Sequence, residues 1–182
     1  ALVEEANEQG WAAIGFEPDW RGCAIASDRV PVVQGFFGAS AVLADTVHAV
    51  VTSHVLEHVD DPVAFLREIG DALAPGGELL VVCPNHTGWI ARVQRSGWYG
   101  YAVEQHVWHF TPRTLRRIVG RAGFAVITAR TKSMWYASPL LPWLTQPMLD
   151  VGLRVASWLG LGDEMAVLGK RTSISSEAGS RG

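Results

Sequence analysis

A chain of 182 residues, 48% of them apolar, suits one domain with a buried core. Its formal net charge of −3, with no basic stripe, weighs against nucleic acid as a partner. Cys23 and Cys83 stand far apart without CxxC or CxxH spacing, which favours buried thiols in the reducing cytoplasm over a disulfide.

The opening "ALVEEANEQG" lacks the basic start and apolar run of a signal peptide. It reads as the middle of a helix without an initiator Met, so the expectation is a fragment. Gly10 suits the helix stop. "WAAIGF" is predicted as a short buried strand ending at Glu17 and Pro18. Asp19 can cap a short helix over residues 19–28. "VPVVQG" is a weak strand, and "VHAVVTS" a strong one rich in β-branched residues.

Asp61 and Pro62 then form a helix start, the proline lying where its missing N–H costs nothing. Leu66, Ile69 and Leu73 recur at helical spacing beside Phe65, and "PGG" at 75–77 is expected to stop that helix. "ELLVVCPN" is the next strand, apolar almost throughout, as in a parallel strand covered on both faces. Residues 85–109 make a long connection rich in Trp, Tyr, Gly and His, a length that points to function or mobility.

Thr111 and Pro112 repeat the cap-plus-proline signal. Leu115, Ile118, Val119 and Ala122 give the next apolar face before Gly123. "FAVITAR" is a strand. Residues 134–160 are apolar but carry Pro139, Pro142, Pro147, Asp150 and Arg154, which excludes a spanning helix of roughly twenty apolar residues. "DEMAVLGKR" closes the body, and "TSISSEAGSRG" reads as a disordered tail. The alternation predicts an α/β domain, Rossmann-like, with a mainly parallel sheet flanked by helices. Ligands of such sheets bind at the carboxyl ends of strands.

Several side chains fall at those ends. Glu17 can accept two hydrogen bonds from a ribose diol, or be an ordinary solvated acid. Ser53, His54, Glu57 and His58 follow the "VHAVVT" strand. Glu57 with His54 or His58 could form a metal site. The alternative has Glu57 satisfying loop N–H groups and His58 packing as a core histidine. Asp60 and Asp61 read as turn and cap. Asn85 could reach a ligand or close a side-chain turn. In "EQHVWHF", His106 and His109 are three apart, and each is either a general base or a loop anchor.

The sequence from "GFEPD" through "ADTVHAVVTSHVLEHVDDPVAFLREIGDALAPGGELLVVCPN" to "EQHVWHFTPRTLRRIVGRAGFAVI" resembles the class I S-adenosylmethionine-dependent methyltransferases. The branch with the ubiquinone-type and other small-molecule enzymes is the one it is most similar to. The likeness covers roughly residues 1–132, with "GDEMAVLGKR" similar to the antiparallel closing strand.

The resemblance implies S-adenosyl-L-methionine as cofactor, with Glu17 on its ribose, and Gln34, Gly35 and Phe36 bordering its adenine. Ser53 and His54 would pass its methionine end, and residues 85–109 would cover the acceptor. His106 is the candidate base. The ubiquinone-type members are linked to a metal, whose two carboxylates and histidine would correspond to His54, Glu57 and His58. This chain has His54 where an acid is expected, so no metal is assigned. The family also opens with a strand and glycine-rich turn ahead of the helix at residues 1–9, and the expectation is that the natural protein carries them upstream.

The implied organisation is a methyltransferase domain over 1–171 with a lid or flap at 134–160, then a tail over 172–182. Trp135, Trp143, Leu149, Leu153 and Trp158 would give the flap its apolar face, with a membrane surface as the lesser alternative. The expected partner is a small-molecule acceptor. The rivals are a non-catalytic interaction module and a nicotinamide-dependent oxidoreductase, though no tyrosine here has a lysine four residues later. A serine hydrolase at Ser53 lacks the G-x-S-x-G elbow.

Overall fold

The computed structural model describes residues 2–38, 42–102, 104–133 and 154–172. The chain forms two compact units, Ala1–Ala41 and Val42–Gly182. The first holds α1 (Leu2–Glu8), β1 (Gly15–Glu17), α2 (Trp20–Ser27) and β2 (Val32–Gln34). The strands are parallel, and Glu17 pairs with Gln34 at their ends. Gly10 follows α1 at φ +88°, a left-handed conformation that favours glycine. Asp19 caps α2 by accepting from the Gly22 N–H at 2.9 Å.

The expected strand at "WAAIGF" is shorter than its apolar run. Its first half is held otherwise: the Ala13 N–H donates to the Asn7 side chain at 2.9 Å. Pro31, next to β2, has no N–H to extend a ladder.

The second unit is built on β3 (Val47–Ser53), α3 (Pro62–Ala72), β4 (Leu73–Pro84), α4 (Trp89–Gln94), α5 (Pro112–Arg121), β5 (Phe124–Lys132) and β6 (Glu164–Arg171). Its sheet has the order β3-β4-β6-β5. β3 and β4 are parallel, and β6 is antiparallel to both β4 and β5. The closing strand therefore runs against the rest, as the sequence suggests.

The core is assembled from alternate strand positions and one stripe of each long helix. Leu66, Ile69, Leu73, Leu79, Val81, Leu115, Val119 and Val167 are all fully buried. Leu80 and Val82 are half-buried, so full burial along β4 is met on one face only.

Both predicted caps form. Asp61 accepts from the Val63 and Ala64 N–H groups, and Thr111 pairs with Thr114 in a capping box. The end of α3 departs from expectation. Leu73 leaves the helix with extended dihedrals and begins β4, while its N–H still donates to Ile69. "PGG" then lies inside β4, at the irregularity where Val47 pairs with Leu73 and Ala49 with Glu78. Gly76 takes φ +78° there, so the glycines permit a bulge rather than stop the helix.

The connection after β4 contains α4 and short 3₁₀ turns at Arg95–Gly97 and Tyr99–Tyr101. Residues 154–158 are helical. Of the proposed flap, Trp135, Trp143, Leu149 and Leu153 lie outside the described residues, as does the tail beyond Thr172. No helix among the described residues is long and apolar enough to cross a membrane.

Candidate functional site

In the first unit the strand register gathers Glu17, Gln34 and Gly35. The Gly35 N–H donates to the Glu17 carbonyl at 3.0 Å. Gly35 has φ +143°, a conformation open to glycine, so the chain turns away directly after β2. The Glu17 carboxylate is half-buried, and its Oε1 accepts from the Asp19 N–H at 3.0 Å. Gly22 lies against this carboxylate, since an added Cβ would meet its Cγ and Cδ at 3.1 Å. Phe36 is 77% exposed, and Phe16 and Phe37 pack edge to face.

In the second unit the carboxyl ends of β3 and β4 carry the remaining candidates. Ser53 is the last residue of β3, exposed and paired with Val82. His54 follows at φ +54°, which a residue with a Cβ seldom adopts, and its N–H donates to the Val82 carbonyl. The turn aims its ring at two carboxylates. Nδ1 lies 3.3 Å from Glu57 Oε1, and Nε2 lies 2.9 Å from Glu164 Oε1. Glu57 first, and then Glu164, raise the His54 pKa to about 9 against the opposing effect of burial. The neighbouring Cys83 thiol is pushed up by burial, then by Glu57.

Glu57 is 1% exposed. Its backbone carbonyl, not its carboxylate, takes the Val107 and Trp108 N–H groups and so ties the loop to the turn between β3 and α3. His58 and His106 meet edge to face with ring centroids 4.8 Å apart. His58 Nδ1 donates to the Gln105 carbonyl at 2.9 Å, and His106 Nδ1 to the Gly100 carbonyl at 2.8 Å. Carbonyls only accept, so each neutral ring carries its proton on Nδ1 and presents Nε2 as a base.

His58 is exposed and anchored to backbone, not packed in the core. One ligand atom each from Glu57, His58 and His106 lies within 4.8 Å of the others, close enough to surround a cation. His109 anchors its own loop by donating to the Tyr101 carbonyl. Asn85 is fully buried and closes a side-chain turn, donating to Gly162 and accepting from Thr87.

Glu57 and His106 pack with His86, Trp98, Trp108 and Phe110 around a gap too narrow for a water. Gly100 lets the chain cross the Trp98 ring, where an added Cβ would approach to 2.5 Å. Glu164 is a participant that sequence reasoning missed. It arrives from the antiparallel strand 110 residues beyond His54, and no local spacing links the two.

A family model described as a methyltransferase domain matches residues 1–129. An S-adenosylmethionine-dependent methyltransferase from Archaeoglobus fulgidus has a similar structure, with TM-score 0.65 and 16% identity over 93% of this chain and 80% of that one. A methyltransferase of the same description from Mesorhizobium loti gives TM-score 0.63 and 16% identity, covering 93% and 85%. A tRNA U34 carboxymethyltransferase from Trichodesmium erythraeum is 32% identical over 87 residues, 47% of this chain. The match spans only 25% of that relative's length. With the family model spanning well over half of its length, and a sheet closed by an antiparallel strand, the chain belongs to the methyltransferase domain family, the class I S-adenosylmethionine-dependent methyltransferases.

Proposed function

We propose that the protein transfers a methyl group from S-adenosylmethionine to a small-molecule acceptor such as a sugar, quinone or lipid-linked compound. The end of β1 supports this reading most. Glu17 stands there with Gln34 and Gly35 in register, and Gly22 leaves its carboxylate room. That arrangement suits a ribose diol at Glu17 and an adenine edge near Gln34, Gly35 and Phe36. The family resemblance, taken by itself, would assign Ser53 and His54 to the methionine end. The catalytic domain is assigned to residues 1–171, with a flap at 134–160.

When bound, with Glu17 holding its ribose, the cofactor would supply an electrophilic methyl carbon on a cationic sulfur that leaves as a neutral thioether. The protein's part is to align the acceptor and exclude water. His106 is held by its Nδ1 proton on the Gly100 carbonyl and offers Nε2 to take the acceptor's proton. The test is mass spectrometry of candidate acceptors incubated with protein and cofactor. A product heavier by one methyl group is expected. Failure of the protein to bind S-adenosylhomocysteine in calorimetry sinks the reading.

The likeness to a tRNA-modifying relative favours a second reading, in which the acceptor is RNA. The net charge of −3 opposes it, because phosphate contacts need clustered cations. Methyl incorporation into tRNA, compared with small acceptors, separates the two.

A further inference from the structure

Burial strips a carboxylate of water, so a buried one needs donors or a cation beside it. Glu57 is 1% exposed, yet neither of its carboxylate oxygens takes a hydrogen bond. The gap that it lines with His106 is too narrow for a water. A bare divalent ion is smaller than a water, and imidazole nitrogens beside a carboxylate are the chemistry that holds one. We propose that Glu57, His58 and His106 form a binding site for one borderline divalent cation such as Zn²⁺.

One ligand atom from each of the three lies within 4.8 Å of the others. Tetrahedral ligands at about 2 Å from an ion stand about 3.4 Å apart, so the cluster has to close by on the order of 1 Å. His58 is exposed and His106 half-buried, and both can turn inward more freely than the enclosed Glu57. The rings are already oriented as ligands. His58 Nδ1 donates to the Gln105 carbonyl at 2.9 Å, and His106 Nδ1 to the Gly100 carbonyl at 2.8 Å. Such bonds fix the tautomer and leave the Nε2 lone pair for the ion. The Val107 and Trp108 N–H groups, donating to the Glu57 carbonyl, hold the segment after His106 against the same turn.

This is not the ligand set that the resemblance implies. His54 stands outside the cluster with its Nε2 on Glu164 at 2.9 Å, and His106 joins from the loop instead. A set rich in carboxylate suits a hard ion, whereas two imidazoles and one carboxylate suit Zn²⁺. The ion takes the His106 nitrogen that the proposed reaction uses as a base, so the two uses exclude each other. The site is tested apart from methyl transfer, since its readouts are metal stoichiometry and histidine spectra.

The decisive experiment titrates the purified, chelator-treated protein with Zn²⁺ and, separately, with Mg²⁺ in a calorimeter. One equivalent of Zn²⁺ is expected to bind, and Mg²⁺ is not. His58→Ala, His106→Ala and Glu57→Gln should each weaken Zn²⁺ binding by about tenfold or more. His109→Ala, which removes a histidine outside the cluster, should leave it unchanged.

No stoichiometric Zn²⁺ uptake by the unmodified protein overturns the proposal, as does a preference for Mg²⁺ or full Zn²⁺ affinity in both His58→Ala and His106→Ala. Should the variants not fold, ¹⁵N spectra of the unmodified protein's histidines decide. Zn²⁺ that shifts the ring nitrogens of His58 and His106 but not those of His109 supports the site, and any other pattern refutes it.

Discussion

The two units use apolar residues in opposite ways. The first exposes Trp11, Ile14, Trp20, Ile25 and Phe36 by half or more and buries none of its described residues fully. Its sheet is one pair of three-residue strands, short of the three strands that independent stability usually requires. The second has four strands and two capped helices whose faces meet, so side chains of the same kind vanish from solvent. Apolar content therefore does not make a core. Burial depends on how many elements meet around a position, and exposed apolar patches call for a covering surface.

Mutation in the second core should open the widest gap between the units. Leu66→Ala removes a fully buried side chain and should cost about 3 kcal/mol in urea denaturation, against a few tenths for Val33→Ala. A comparable loss at Val33 would mean that its unit hides a core of its own.

His106→Ala should lower turnover by roughly a hundredfold while leaving cofactor affinity near normal. Glu17→Ala should do the reverse, weakening cofactor binding by about tenfold with little change in melting temperature. Unchanged turnover in the first, or unchanged affinity in the second, removes that residue from the site.

His54→Gln leaves Glu57 without its cation and should cost about 2 kcal/mol, a value reduced because His54 is 39% exposed. The same ion pair predicts a pH trend. The folded pKa of about 9 lies above the ordinary 6.5, so the stabilisation is complete below 6.5 and fades as pH rises through 9. Melting temperatures from pH 6 to pH 10 should fall more steeply for the unmodified protein than for His54→Gln. Parallel curves would show that the ring is not charged. The smallest effect is expected at Asp19→Ala, which loses the α2 cap for about 1 kcal/mol and leaves the second unit untouched.

Local chemistry made much of this legible from sequence alone. Asp61–Pro62 and Thr111–Pro112 announce helix starts because a cap and a proline act within one turn. "VHAVVTS" and "FAVITAR" announce strands through β-branched residues, and Glu17 is marked by its place after a strand. The end of α3 was not legible, because the bulge that absorbs "PGG" depends on how β3 pairs with β4. Nor was α4, whose six residues are too few to display a period.

What the sequence determined by itself was the alternation of elements, the capping residues and the chemical types at strand ends, since each depends on neighbours along the chain. Only the tertiary structure decided that Glu164 would meet His54 across 110 residues, and that His106 would stand against His58 beside a buried Glu57. Such meetings are set by sheet order and loop path, and residues far apart in the chain carry no periodic sign of them.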